Sequence, residues 1–227
     1  MISHAKLPLP IEIQSWKSEI HSLAAKWTSH FNYQHYDGDW TVLPLRSPGG
    51  RSDNIIADLL NQDEYSDTAV LDDCPSIKRW LSFLECPLMS VRLLNLKSKS
   101  VIKEHRDNEL SFENGEARLH VPVYTNPGVE FYINNKLVKM NEGECLYINA
   151  NLPHRVSNNG TTDRIHLVID CKVNEWLKDL FNRSEREYAT DDQPGKDLIN
   201  IIRELRIQNT ITSNNIADEL AKSLKVS

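Results

Sequence analysis

The chain has 227 residues, of which 40% are hydrophobic and five are tryptophan. This length and composition predict a folded protein with a buried core. A net charge of −6 argues against a nucleic-acid partner, because phosphate binding requires a basic face. No apolar run reaches membrane-spanning length, and the four scattered cysteines form no CxxC pair. We therefore expect a cytoplasmic protein without a membrane partner, structural zinc or disulfides.

The first third of the chain has mainly helical patterns. Between Pro10 and Trp27 apolar residues recur at three- and four-residue steps, as in an amphipathic helix. "SPGG", at Ser47 to Gly50, predicts a turn, and residues 53–60 a short helix. "CPSIKRWLSFLE", from Cys74, predicts another helix because its proline stands in the first turn, where the missing N–H costs little.

From Met89 to Lys172 the pattern changes to short β-rich runs separated by turn residues. These runs are "SVRLLNL", "ARLHVPVYT", "VEFYINN", "KLVKM", "ECLYINA" and "RIHLVIDC". Asn134-Asn135 and the segment from Asn141 to Gly143 are typical of hairpin turns. About eight short strands without intervening helices predict a mainly β protein, a jelly-roll barrel.

The last part of the sequence is helical and highly charged. "DDQPG", at Asp191 to Gly195, predicts a linker before two small helices. We therefore predict a domain at residues 1–190, with its β core at about 89–172, and a helical appendage at residues 191–227. The appendage could pack on the barrel, form a homodimer or cap the substrate entrance.

Two His-x-Asp pairs are candidate metal ligands. His35 and Asp37 lie in a glycine-containing turn, for which a surface role is expected. His105 and Asp107 end a predicted strand, where residues two apart share a face, and His154 precedes the last strand. Two imidazoles and one carboxylate with open positions form the facial triad of non-haem Fe(II) oxygenases. Structural zinc would need a fourth ligand, usually sulfur.

Three arginines fall on faces that should point inward. The arginines are Arg164 in "RIHLVIDC", Arg118 in "RLHVPV" and Arg92 in "SVRLLNL". A histidine follows two residues after each of the first two, His166 and His120. A buried guanidinium is costly unless it meets an anion, and its planar fork suits a carboxylate. The pattern therefore predicts carboxylate-bearing ligands near the metal, with pairing to core Asp or Glu as the alternative.

The motifs together resemble the aspartyl/asparaginyl β-hydroxylase family of Fe(II)/2-oxoglutarate dioxygenases, in particular its bacterial branch of cis-proline hydroxylases. The resemblance covers Trp40 to Cys171 and is carried by "HRD" at His105, "RLHVPV" at Arg118, "ECLYINANLPH" ending at His154 and "RIHLVID" at Arg164. It implies a double-stranded β-helix of cupin-like form, with flanking N-terminal helices.

The resemblance also implies an activity and roles for the site residues. Fe(II) would bind His105, Asp107 and His154, and 2-oxoglutarate and O₂ would be consumed to hydroxylate an unactivated C–H bond, with succinate and CO₂ as co-products. The substrate would be an amino acid or a residue in a peptide. Arg164, with His166 beside it, would bind the distal carboxylate of 2-oxoglutarate. Arg118 and His120 would bind the inner carboxylate of 2-oxoglutarate or the substrate. Arg92 would bind the substrate.

The charges of Arg118 and Arg92 add an expectation about the substrate. The sequence shows no evident internal acid to neutralise them, so a substrate with an α-carboxylate is expected. Two other functions stay open. One is a cupin-type metalloenzyme, an isomerase or thiol dioxygenase, although such proteins usually gather three or four histidines. The other is a catalytically silent binding module, against which the intact triad argues.

Overall fold

The computed structural model describes residues 1–23, 26–55, 64–107, 110–189 and 193–224. The chain divides into two compact units, residues 1–188 and 189–227. Residues 190–192, where the sequence predicts the domain boundary, lie outside the described residues, as does most of the helix expected at residues 53–60.

Regular structure occupies most of the described residues. The strands are β1 (Ile2–Leu7), β2 (Thr28–Ser29), β3 (Tyr36–Asp37), β4 (Trp40–Pro48), β5 (Tyr65–Asp67), β6 (Leu88–Leu96), β7 (Val101–His105), β8 (Glu116–Tyr124), β9 (Val129–Ile133), β10 (Lys136–Leu137), β11 (Cys145–Ile148), β12 (His154–Asn158), β13 (Arg164–Lys172) and β14 (Glu185–Tyr188). The helices are α1 (Ile13–Ser22), α2 (Pro75–Leu81), α3 (Glu175–Asn182), α4 (Gln193–Gln208) and α5 (Ile211–Leu224).

The strands of the first unit form two antiparallel sheets. The larger sheet has the order β14-β1-β11-β8-β13-β6-β4-β2, with β5 beside β4, and the smaller has the order β10-β9-β12-β7-β3. Side chains from both sheets meet in one central cavity. This is the two-sheet arrangement of a cupin-like double-stranded β-helix, so the predicted fold class is confirmed.

Alternate side chains along β13 face the hydrophobic core and the cavity between the sheets. Ile165, Leu167 and Ile169 join the hydrophobic core on one face of the larger sheet. Arg164 and Val168 line the cavity between the sheets, as two-residue periodicity requires. The apolar face is covered by the N-terminal helices: Trp16 of α1 and Trp80 of α2 meet edge to face, with ring centroids 5.2 Å apart.

Several predicted elements are found, with adjusted bounds. The amphipathic helix expected from Pro10 to Trp27 is the shorter α1, and α2 begins at Pro75. Asn134 and Asn135 both have positive φ, 48° and 62°, and form the hairpin turn between β9 and β10. The turn at Asn141 to Gly143 is not a hairpin, because β10 and β11 lie in different sheets.

Strands β1, β4 and β14 lie in segments where the sequence predicted a helix or no regular element. β4 contains two prolines, which argue against a strand. The structure accommodates Pro44 at a register shift against β6, and Pro48 ends the strand. β1 lies between β11 and β14, a pairing too distant in sequence to leave a local signal.

The second unit consists of the helices α4 and α5. Thr210 caps α5: its hydroxyl accepts the N–H of Ser213 at 3.0 Å. Nη2 of Arg206 in α4 lies 3.5 Å from Oδ1 of Asp218 in α5. No described helix of the chain combines the length and apolar character needed to cross a membrane.

Removing the Trp16 side chain should destabilise the protein strongly. Trp16 is only 1% exposed, so Trp16→Ala should lower the free energy of unfolding by about 3–5 kcal/mol through lost burial and a residual cavity. Chemical denaturation would measure the change. Phe83→Ala is the control: Phe83 is 66% exposed, and its replacement should cost less than about 0.5 kcal/mol.

Candidate functional site

Three side chains, His105, Asp107 and His154, converge where the smaller sheet opens to solvent. His105 ends β7 and His154 begins β12, and the two residues face each other in the strand register. The backbone N–H of Asp107 donates to the carbonyl of Ala150 at 2.9 Å, which ties Asp107 to the turn before His154. One ligand atom from each side chain lies within 4.8 Å of the others.

Both imidazoles are oriented by backbone carbonyls. Nδ1 of His105 lies 2.8 Å from the carbonyl oxygen of Lys103, and Nδ1 of His154 lies 3.0 Å from that of Leu152. Carbonyl oxygens only accept, so Nδ1 is the donor in each contact and Nε2 is the nitrogen left for a metal. Hydrogen bonds of this kind commonly orient metal-binding histidines. Burial, with the neighbouring His105, lowers the pKa of His154 to about 4, which favours the neutral form that binds metals.

An ion-pair network connects Asp107 to the larger sheet. Nη1 of Arg118 donates to Oδ2 of Asp107, while Nε and Nη2 of Arg118 donate to the two oxygens of Asp170 at 2.6 and 2.9 Å. Asp170 Oδ2 also accepts from Arg92 at 2.7 Å and from Ser90 at 2.9 Å. The expectation that Arg118 and Arg92 lack an internal acid is therefore wrong.

The network keeps both carboxylates ionised. Burial opposes ionisation of Asp107, but Arg118 and the two neighbouring histidines outweigh it, and the pKa of Asp107 is lowered. Burial likewise opposes ionisation of Asp170, and Arg118 and Arg92 hold its pKa far below the usual range.

Arg164 differs from the other two arginines. It is 2% exposed, and no carboxylate among the described residues lies within ion-pair distance of it. Nη2 of Arg164 donates to Nδ1 of His166 at 2.8 Å, while Nε of Arg164 has no partner. Burial without a counter-charge lowers the pKa of Arg164 to about 9. An anion here would recover the solvation that the guanidinium has lost.

His120 and His166 surround this guanidinium. Burial, with Arg164 nearby, holds the pKa of both imidazoles well below the ordinary value, so both are neutral at physiological pH. Nδ1 of His120 and Nε2 of His166 are buried and lack a hydrogen-bond partner. Together with Nε of Arg164, unused polar atoms concentrate on the inner face of β8 and β13.

A single cavity joins the converging triad to Arg164. Its wall is formed by Trp40, Leu94, Ile102, His105, Asp107, Arg118, His120, Phe131, Ile148, Ala150, His154, Val156, Arg164 and Val168. The lining therefore combines the polar groups of the triad, Arg118, His120 and Arg164 with apolar side chains.

Sequence reasoning missed three residues near the triad. The ring of His35 lies 5.4 Å from that of His105, so His35 is not remote, although it does lie in a turn as expected. His30 stacks on Trp40 with centroids 3.7 Å apart, and the indole N–H of Trp40 is buried without a partner. Nothing in the spacing of "HFNYQHYDGDW" indicates these contacts. Asp170, in contrast, shares its strand face with Arg164, a parity visible in the sequence.

Comparison with known proteins identifies the family. Residues 12–173 match the family model described as aspartyl/asparaginyl beta-hydroxylase. The chain belongs to this family. Its members are 2-oxoglutarate-dependent dioxygenases, which confirms the resemblance seen in the sequence motifs.

One curated relative and two solved structures illustrate the similarity. L-proline cis-4-hydroxylase of Rhizobium meliloti (strain 1021) is 25% identical over 165 residues, covering 71% of this chain and 58% of the relative, so the chain spans less than two thirds of that protein. HygX from Streptomyces hygroscopicus, solved with nickel and 2-oxoglutarate, is 12% identical with a TM-score of 0.48, covering 77% of this chain and 84% of HygX. Viral collagen prolyl hydroxylase from Paramecium Bursaria Chlorella virus-1 is 13% identical with a TM-score of 0.44, covering 75% of this chain and 96% of the viral enzyme.

The buried neutral histidines should make the metal-free protein less stable in acid. Burial, with Arg92 nearby, lowers the pKa of His30 to about 3, whereas an unfolded histidine takes up its proton near pH 6.5. Stability is therefore complete above pH 6.5 and falls as the pH drops towards the folded-state pKa, by up to about 1.4 kcal/mol per pH unit for each such histidine. The lowered pKa values of Asp107 and Asp170 act only below about pH 4, where the unfolded carboxylates become protonated.

His30→Phe isolates one share of this effect, because phenylalanine can keep the stack on Trp40 and cannot titrate. Chemical denaturation in the presence of a chelator, at pH 7 and pH 5, should show a smaller loss of stability for the variant than for the parent. Equal losses would mean that His30 is not buried in its neutral form.

Proposed function

We propose that the chain uses Fe(II), 2-oxoglutarate and O₂ to hydroxylate an unactivated C–H bond of an amino acid or an amino-acid residue. The observation that carries the proposal is the convergence of His105, Asp107 and His154 in the cavity that also contains the unpaired guanidinium of Arg164. The family membership of residues 12–173 supports the same reaction class.

The converging side chains fit Fe(II). Two imidazoles whose Nδ1 atoms face carbonyl oxygens and one ionised carboxylate form a two-histidine, one-carboxylate set, and no cysteine among the described residues joins it to favour zinc. Among the described residues this is the only group of three or more histidine, cysteine, aspartate or glutamate side chains with ligand atoms so close together. In this proposal His105, Asp107 and His154 hold the metal on one side.

The opposite end of the cavity fits a carboxylate. Arg164 offers its planar donor fork to the distal carboxylate of 2-oxoglutarate, and its bond to His166 limits the rotation of that fork. His120, with its unused Nδ1, lies beside it. The cavity volume is only about 50 Å³, so a five-carbon diacid would also need space beside the triad, where 32% of the Asp107 side chain is exposed.

The metal and its co-substrate supply the oxidation when bound, releasing succinate and CO₂. The chain supplies binding, orientation and exclusion of water. Phe131, Val156 and Val168 contribute apolar side chains to the lining of the cavity, which disfavours water beside them. Arg164 holds the far end of the co-substrate, so that its reacting end is directed towards the open side of the triad.

The substrate class rests on a different kind of support. The relative from Rhizobium meliloti bears the name L-proline cis-4-hydroxylase, which favours a small amino acid. The charge argument for a substrate carboxylate no longer contributes, because the two carboxylates of Asp170 and Asp107 balance the two guanidinium charges of Arg118 and Arg92. Anaerobic protein with iron and 2-oxoglutarate, exposed to O₂ and screened against the free amino acids, proline included, should give a product heavier by one oxygen atom in the mass spectrum.

The two alternatives predict different behaviour. A cupin-type isomerase or thiol dioxygenase would act without 2-oxoglutarate, and a silent binding module would bind metal or co-substrate without producing succinate. Succinate formation that requires both Fe(II) and 2-oxoglutarate distinguishes the proposed oxygenase from either.

Each residue of the triad should be essential for turnover. His105→Ala, Asp107→Ala and His154→Ala should each abolish succinate formation and lose most of the metal affinity, because one of three protein ligands is removed. Circular dichroism should show an intact fold, since the hydrophobic core lies on the other side of the larger sheet. His21→Ala, at an exposed position on α1, should behave like the parent, whereas turnover by His154→Ala would contradict the assignment.

Arg164 should control the affinity for 2-oxoglutarate. Arg164→Ala removes charge-assisted hydrogen bonds worth about 1.5–3 kcal/mol, so the 2-oxoglutarate concentration needed for half-maximal turnover should rise about 10- to 100-fold. Arg164→Lys should recover only part, because a point charge cannot reproduce a planar fork. Arg155→Ala, at an exposed arginine that pairs with Glu104, is the control and should not change the requirement.

A further inference from the structure

Arg118 connects two carboxylates of unequal exposure. Asp170 is buried, with 8% of its side chain exposed, and Asp107 stands at the cavity mouth with 32% exposed. Arg118 lies between them, with 14% of its side chain exposed, and donates to both. We propose that Arg118 is a positioning residue, which transmits the fixed position of Asp170 to Asp107 and holds Asp107 in a one-oxygen binding geometry for the metal. The proposal rests on the proposed function.

The strand register makes this arrangement rigid. Asp170 on β13 and Arg118 on β8 are directly opposed across the ladder, and their side chains form a two-point pair through Nε and Nη2. Such a fork-to-fork pair fixes the plane of the guanidinium. Arg92 and Ser90 hold the same carboxylate from β6, so Asp170 is constrained from two neighbouring strands. The only donor of Arg118 directed away from Asp170 in these contacts, Nη1, meets Asp107.

The contact to Asp107 distinguishes the two oxygens of this carboxylate. Oδ2 accepts from Arg118, whereas Oδ1 lies 3.9 Å from Nε2 of His105, on the side of the triad. A carboxylate with one oxygen held by a guanidinium presents the other to a metal. If both oxygens of Asp107 bound the metal, they would occupy one of the positions that the co-substrate and O₂ require. Arg118 thereby protects an open position.

Few of the described contacts fix the Asp107 side chain, which lies two residues beyond the end of β7. Its backbone N–H is fixed through Ala150, but the backbone bond does not set the rotation of the carboxylate. Among the described contacts, the hydrogen bond that sets this rotation comes from Arg118.

This role competes with the expectation that Arg118 binds the inner carboxylate of 2-oxoglutarate or the substrate. All three donor atoms of Arg118, Nε, Nη1 and Nη2, already have carboxylate partners. These contacts use three of its five N–H groups, so a ligand carboxylate could reach only the second N–H of Nη1 or Nη2 and would meet a guanidinium whose charge is already paired. Arg164, which has no carboxylate partner among the described residues, is the arginine better suited to an anionic ligand.

The two roles are separated by metal binding without turnover. Arg118→Met keeps much of the side-chain length but removes the hydrogen-bond donors. It should weaken Co(II) binding about 10- to 100-fold, the usual range when a residue that hydrogen-bonds a metal ligand is lost. Competition with a chromophoric chelator would measure the affinity, and the visible spectrum of bound Co(II) should change as Asp107 loses its fixed rotation. The affinity for 2-oxoglutarate, measured by calorimetry on the Co(II)-loaded protein under saturating metal, should change much less.

Arg92→Met is the matched control. Arg92 pairs with the same carboxylate, Asp170, but donates no hydrogen bond to Asp107 among the described contacts, so its loss should leave Co(II) affinity close to that of the parent. Arg118→Lys should resemble Arg118→Met, because one ammonium cannot replace a fork that contacts both carboxylates. Asp170→Asn should weaken Co(II) binding in the same direction, since Arg118 then loses its ionised anchor, and it decides the matter if Arg118→Met fails to fold.

The outcomes separate this inference from the proposed function. If Arg118→Met binds Co(II) like the parent but loses 2-oxoglutarate affinity, Arg118 is a ligand-binding residue and the inference is wrong, while the proposed function stands. If Arg92→Met and Arg118→Met lose Co(II) equally, the effect comes from the buried cluster as a whole, and the inference is also wrong. If the parent binds Co(II) no better than His105→Ala does, the proposed metal site itself is wrong.

Discussion

The buried carboxylate of Asp170 is the interaction on which the rest of the site depends. Two guanidinium groups in the interior of a β-sandwich are expensive unless a charge meets them, and Asp170 meets both. Removing one partner from such a buried group typically costs about 3–5 kcal/mol, because the charge that remains has no substitute. Since Arg92, Arg118 and Asp170 come from three adjacent strands, β6, β8 and β13, their pairing also favours the register in which these strands bring the inner face together.

The inner face of β13 thus has two electrostatic characters. At one end Asp170 is fully paired, and the charges of the cluster that includes Asp107 are balanced. At the other end, six residues earlier on the same face, Arg164 has a histidine partner but no acid. The end with balanced charges holds protein groups in place, whereas the end with an unpaired positive charge is suited to bind an anion.

The sequence predicted the parts of this arrangement that depend on local spacing. The strand periodicity indicates the β-rich core, the His-x-Asp pair and the later His154 indicate the converging triad, and the alternation in "RIHLVIDC" places Arg164 on the inner face. Pairing between distant strands was not predictable in the same way. Whether Arg118 meets Asp170 or a ligand depends on the register of β8 against β13, which no local pattern encodes. β4 was missed for a related reason, since its prolines are tolerated only because of a register shift with β6. The position of His35 beside His105 depends on how the turn before β3 folds back on β7.

The alternation of β13 has a consequence for how this chain can change over generations. The charged residues of β13 point into the cavity, and Ile165, Leu167 and Ile169 pack in the core on the other face. Apolar substitutions at these three positions can therefore be compensated by changes in the packed helices, without altering the site. Gain or loss of a single codon within β13 is a different event. It would turn Arg164 or Asp170 into the apolar layer and bring an isoleucine into the cavity, altering catalysis and folding in one step. Variation in length should therefore accumulate in the connecting loops, while β13 diversifies by substitution alone.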